Sequence, residues 1–282
     1  MEKDEEWTLI VKPKSHWLDL HLKDLWEYRD LILLFVKRDF VSVYKQTILG
    51  PLWYIIQPLL TTITFTIIFG NIAKISTDGV PAVLFYLSGI TMWNYFSECI
   101  NKTSNTFISN AHIFGKVYFP RLTVPLSIII SNLIAFIIQL LFFLSFLSYY
   151  CYTNPTIHPN RFVFLLPILI LIMAGIGLGM GIIISSLTTK YRDLRFLIAF
   201  GVQLLMFATP IIYPLSTLSP KQKTIILANP LASIIETFRY SFTGVGQFSW
   251  YYLAYSFVFM IVVLVIGIIL FNKVEKSFMD TV

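Results

Sequence analysis

Six long apolar runs, separated by short segments that hold nearly all the charge, leave this chain few ways to fold. The runs cover about 52–72, 82–98, 122–150, 162–188, 194–213 and 252–271. A hydrocarbon layer about 30 Å thick is crossed by about 20 apolar residues of helix. Within it every backbone polar group must be satisfied inside the protein, which leaves helices as the spanning form for runs of this length. The pattern predicts an all-α integral membrane protein with six transmembrane helices. Composition agrees: 56% of the residues are hydrophobic and 13% charged, against about 25% charged in soluble domains. No polar stretch is long enough for a separate soluble domain, so residues 1–282 read as one domain around a six-helix region at 52–271.

Six spans put both termini on one side. Of the 21 Lys and Arg, sixteen lie in the N-terminal segment, the loops after the second and fourth runs, and the tail. Lys74, Arg161, Lys221, Lys223 and Arg239 lie opposite. The excess of cations on one side makes it cytoplasmic, and the net charge of +6 is this bias, not a sign of nucleic-acid binding. The N-terminus carries Glu2, Asp4, Glu5 and Glu6 and no early apolar core, which argues against a cleaved signal peptide. Cys99 and Cys151 stand far apart and read as packing residues.

Four segments between the runs have patterns of their own. Over 18–46, Leu18, Leu22, Leu25, Ile32, Val36, Phe40 and Val43 recur at helical spacing among charges. This is the pattern of an amphipathic helix lying in the membrane interface, or packed on a partner protein. Residues 101–121 are rich in Ser and Asn but keep Phe107, Ile108, Ile113, Phe114 and Val117, apolar groups whose exposure would suit docking. His112 in this stretch has no second ligand at metal spacing. The turn "TTKYRDLR" at 188–195 reads equally as charge anchoring and as a partner contact. The segment 209–250 is too apolar for a free loop and too broken by Pro210, Pro214, Pro220 and Pro230 for one span. It reads as a re-entrant pair of short helices in the outer leaflet, tolerated there only if buried in protein or lining a cavity. Within it Asn229 is a helix cap and Pro230 a first helical residue. Glu236 and Arg239 share a face, as an ion pair or as a contact for cargo.

What the spans lack limits the function further. Each Asp, Glu, Lys and Arg sits at a run's edge or outside it, with Glu98 deepest, so neither a proton- or ion-coupled carrier nor a metal-dependent transferase is indicated. There is no GxxxxGK[ST] phosphate loop; if ATP drives this protein, a separate polypeptide hydrolyses it, and this chain needs no cofactor. Gly175, Gly177, Gly179 and Gly181 form two interleaved GxxxG pairs, for close helix packing inside the chain or across a dimer. Trp53, Tyr54, Trp93, Tyr95, Phe96, Tyr149, Tyr150 and Tyr152 lie near run ends, as interfacial belts or as stacking platforms for sugar rings.

Taken in order, "LWEYRDLILLFVKRDF", "VYKQTILGPLWYIIQPLL", "FGKVYFPR", "YRDLR" and "NPLASIIETFRYSFTG" resemble the permease subunits of bacterial ABC polysaccharide exporters. These are the O-antigen, capsule and teichoic acid exporters among the type-2 ABC permeases, and the resemblance runs from about residue 8 to 276. It implies a homodimer bound to two copies of an ABC ATPase. The pair would move an undecaprenyl-diphosphate-linked polysaccharide, most simply O-antigen, out across the inner membrane. A type-2 permease for a small molecule and, further off, a membrane glycosyl- or acyltransferase are the alternatives. By the same resemblance Arg38, Asp39, Tyr44, Lys45, Phe107, His112 and Phe114 couple to the ATPase. The 209–250 hairpin, with Pro210, Pro214, Asn229, Pro230, Glu236 and Arg239, forms an outer gate, and Trp53, Tyr54, Trp93, Tyr95 and Phe96 line the path. Gly50 and Pro51 then join the interfacial helix to the first span, and Pro58 favours a kink one to two turns inside it.

Overall fold

The computed structural model describes residues 22–45, 49–117, 119–189, 191 and 193–278. All secondary structure among them is helical. The amphipathic segment forms α1 (Leu22–Glu27) and α2 (Arg29–Lys45), interrupted at Tyr28; residues 18–21 and 46 of the expected helix lie outside the described residues. Leu25, Phe35 and Val36 turn into the protein, whereas Trp26, Leu33 and Leu34 are exposed. One apolar face is thus taken up by the chain itself, and a second stays open.

Gly50 has φ +47°, a left-handed conformation that favours glycine. With Pro51 it opens a 3₁₀ turn, Gly50–Leu52, that leads directly into α3 (Trp53–Phe65). Pro58 lies inside α3, and the helix continues as a π-helical stretch over Thr66–Ile72. Next come α4 (Ala82–Thr103), α5 (Thr106–Ser109), α6 (Ala111–Phe114) and α7 (Thr123–Thr153). A 3₁₀ turn, Arg161–Leu165, precedes α8 (Leu166–Thr188), which is followed by α9 (Leu194–Phe207), α10 (Pro220–Leu227), α11 (Pro230–Thr243) and α12 (Trp250–Phe278).

Among the described residues four stretches are long and apolar enough to cross a membrane: Gly50–Ile72, Thr123–Thr153, Arg161–Thr188 and Trp250–Val274. Two of the expected spans fall outside this set for different reasons. With 22 residues, α4 is about 33 Å long, but Asn94, Glu98, Asn101 and Lys102 dilute its apolar character. With 14 residues, α9 covers only about 21 Å. It stops at Phe207 instead of running to 213, because Pro210 and Pro214 cannot extend a helix.

The more polar helix is the more buried one. Helix α4 packs against α3, α7, α8, α9 and α11 and buries Leu84 through Trp93 without a break. Helix α8 lies between α4 and α12, and its glycines set both spacings. A Cβ at Gly177 or Gly181 would come within 2.8 Å of Cys99 or 2.6 Å of Thr103 on α4. One at Gly175 or Gly179 would come within 2.5 Å of Met260 or 2.9 Å of Leu264 on α12. The interleaved GxxxG pairs therefore serve packing inside the chain, one pair per neighbour. A second, aromatic core closes the end where α2, α5, α6 and the last turns of α8 and α12 meet. There Phe107 stacks on Phe271 at 4.5 Å and Phe114 lies 5.7 Å from Phe119.

Candidate functional site

Polar side chains gather at opposite ends of the bundle. At the end formed by α10 and α11, the Asn229 side chain accepts from the Leu231 N–H at 3.1 Å and donates to Thr209 Oγ1 at 2.9 Å and the Ala208 carbonyl at 3.2 Å. It is the N-cap of α11 expected from sequence, with Pro230 as first helical residue, and it also ties the helix to the chain following α9. One turn apart on α11, Glu236 and Arg239 are each 2% exposed. Arg239 Nη1 lies 3.1 Å from Glu236 Oε2, Nη2 donates to the Pro210 carbonyl at 2.9 Å, and Nε to Ser88 Oγ at 3.4 Å. The guanidinium carbon sits 3.7 Å from the centre of the Phe85 ring, a cation–π contact. The other Glu236 oxygen accepts from the Gln247 N–H at 3.2 Å.

Backbone geometry completes this enclosure. Gly246 has φ +121°, and a Cβ there would lie 2.8 Å from Glu236 Oε1, so only glycine lets the loop close over the carboxylate. Pro210 and Pro214 are buried beside it. Of the two sequence readings of Glu236 and Arg239, the geometry is that of a structural ion pair. It fastens α4, the chain after α9, α11 and the turn after α11 to one another, and neither group reaches a surface in this arrangement.

The other end holds a cavity of about 730 Å³ between α2, α4, the 104–112 segment and α7. Arg38 and Asp39 of α2 form part of its wall, paired at 2.8 Å. Opposite stands Lys102 of α4, 2.9 Å from Glu98 and 2.9 Å from Asn132 Oδ1 on α7. Asn101, Asn105, Asn110 and Asn132 bring four carboxamides to the lining; Tyr54, Ser131 and His112 complete this part of the wall.

Of the residues expected to couple to an ATPase, the structure brings Arg38, Asp39 and His112 together on this cavity. Lys45 is exposed at the end of α2, and the Tyr44 side chain lies outside the described residues. The expected exposure of Phe107 and Phe114 is corrected: they are 0% and 3% exposed, because they carry the aromatic core under the loop. Ile113 is half-buried and Val117 exposed. The expected path aromatics also separate. Tyr54 borders the cavity and Trp53 is exposed. Trp93, Tyr95 and Phe96 are buried within this one chain, Trp93 against Phe96 at 5.5 Å and Tyr95 against Phe136 at 5.2 Å.

The sequence marks 101–121 as rich in Ser and Asn but gives Asn101, Asn105 and Asn110 no role of their own; Asn132 needs the fold to join them. Ser88 and Phe85, the distant partners of Arg239, had no local mark.

The ABC-2 type transporter family matches residues 30–243. The chain is 28% and 29% identical to two proteins of Klebsiella pneumoniae named O-antigen export system permease protein RfbA, each over 89% of this chain and 94% of the relative. It is 27% identical to a protein of that name from Myxococcus xanthus, over 77% of this chain and 82% of the relative.

Proposed function

The chain belongs to the ABC-2 type transporter family, and we propose that it is the permease subunit of an ATP-driven exporter. Its cargo is a lipid-linked polysaccharide of the O-antigen kind, carried on undecaprenyl diphosphate from the cytoplasm across the inner membrane. The observation that supports this reading most strongly is similarity to O-antigen export permeases over 94% of their length.

In this proposal residues 1–282 are one permease domain with six spans and both termini in the cytoplasm, and two copies pair around the path. Helix α9 leaves Phe196, Leu197, Phe200 and Leu204 uncovered within one copy, a face suited to the second. Two ATPase subunits dock on the cavity end, against the open face of α1 and α2 and the 101–121 segment. Their closure on ATP shifts α2, and the Gly50–Pro51 joint passes that shift into α3. The α10–α11 hairpin shapes the outer opening. This subunit makes and breaks no bonds and binds no cofactor; ATP and Mg²⁺ belong to the partner.

Deletion in the native host tests the reading. The expected result is loss of one surface glycan with its lipid-linked precursor accumulating inside, and an unchanged surface would overturn it. The purified chain alone is expected to show no ATP hydrolysis, whereas robust hydrolysis would contradict a permease role.

A further inference from the structure

A helix that borders lipid turns apolar residues outward. Helices α7, α8 and α12 do so, with Leu141, Leu171 and Val262 49–61% exposed. Helix α4 does the reverse. Between Leu84 and Thr103 five residues escape burial, Asn94, Ser97, Glu98, Asn101 and Lys102, and every one is polar or charged. All the apolar residues of that interval are buried. The spacing of the five puts them on one face of the helix.

Contact with the neighbouring helix does not use this face up. It reaches α7 through two bonds, Asn94 Nδ2 to Gln139 Oε1 at 3.3 Å and Lys102 Nζ to Asn132 Oδ1 at 2.9 Å. Among the described residues Asn94 Oδ1 and the Gln139 amide nitrogen have no hydrogen-bond partner. Glu98 and Lys102 pair at 2.9 Å with side chains 50% and 49% exposed. Gln139 stands at the middle of α7, Thr123–Thr153, where hydrocarbon offers polar atoms nothing and charged groups face a bundle interior or a water-filled cavity. The open face begins at the cavity, whose wall includes Asn101 and Lys102. A second line starts from the same wall on α3: Tyr54, then at helical spacing Gln57, Thr61 and Thr64, all half-buried or exposed beside apolar neighbours.

From this inverted face we propose that α4 lines an aqueous path, which opens at the cavity and reaches the middle of the bilayer at the Asn94–Gln139 bond, and that the hydrophilic part of the cargo enters the membrane along it. Water in the path rests on the burial pattern; its use by the cargo rests on the export reading above. The path runs on the face of α4 that Trp93, Tyr95 and Phe96 do not share, since those rings are buried.

Cysteine labelling tests it in membranes of the native host, opened so that the reagent meets both faces. A cysteine replaces Ser97, Asn94 or, as control, Leu141, two residues from Gln139 on an apolar, exposed side of α7. A charged, membrane-impermeant methanethiosulfonate is added, and mass spectrometry reads each position separately from Cys99 and Cys151. Thiolate is the reactive form, so cysteines in water at 97 and 94 should label at least about tenfold faster than one in lipid at 141. Labelling there no faster than at 141 overturns the path, whether lipid or a second copy covers the face. Ser97→Trp, or Ser97→Leu if the larger ring prevents insertion, should lower surface glycan severalfold at normal chain level, and Leu141→Trp should leave it unchanged. If deletion of the chain removes the glycan yet these Ser97 variants export normally, the cargo does not use the path. If deletion leaves the glycan in place, the export reading itself fails, and the labelling still decides whether water fills the path.

Discussion

The two ends of the bundle hold ion pairs of opposite character. Glu236–Arg239 is closed off from solvent, with each charged group held by further donors, acceptors or an aromatic ring. Arg38–Asp39 and Lys102–Glu98 have partners no less close, but their side chains are 29–50% exposed. An exposed pair contributes about 0–1 kcal/mol and is readily exchanged. A buried one lends little net stability, but breaking it by removing one member costs about 3–5 kcal/mol. Similar distances therefore describe a fixed clamp at one end and a remodelable surface at the other, which suits an end where partners bind and leave.

Four substitutions probe this contrast. The largest effect is expected from Arg239→Met, which strands Glu236 and should cost about 3–5 kcal/mol; thermal unfolding of the detergent-solubilised chain measures it, and an unchanged midpoint would erase the distinction. Gly246→Ala tests whether the loop is part of the clamp. At φ +121° and 2.8 Å from the carboxylate it should lose about 1–3 kcal/mol by the same assay. At the other end, Gly50→Leu places a branched side chain at φ +47°, a strain of about 1–2 kcal/mol. The chain should still insert, but surface glycan should fall; normal export would make the joint a mere turn. Least of all, Asp39→Asn should change stability by under about 1 kcal/mol. A loss as large as that of Arg239→Met would show that the two ends are alike.

The sequence made some of this legible and concealed the rest for physical reasons. Apolar length located four of the expected spans, because composition alone decides whether a helix tolerates lipid. It misjudged the end of α9, where a Pro-broken turn follows while the apolar character continues. Glu236 and Arg239 were visible as a pair because three residues is local helix geometry. Their burial was not, since it depends on Ser88, Phe85 and Pro210, brought in from distant segments. The α8 glycines announced close packing, but which helix each pair faces is a tertiary fact. Phe107 and Phe114 were read as exposed because their neighbours in sequence are polar; their neighbours in space are Phe271 and Phe119.

The burial of α4 also has a consequence for biogenesis. Ribosomes deliver α4, with its asparagines and its Glu98–Lys102 pair, before α7 and α8 exist to cover it. A helix of that polarity is poorly accommodated by lipid alone, so it cannot settle until α7 and α8 have followed, about 85 residues later. Completion of α8 gives α4 its cover on one side, and only the arrival of α12 against the other pair of α8 glycines closes the bundle.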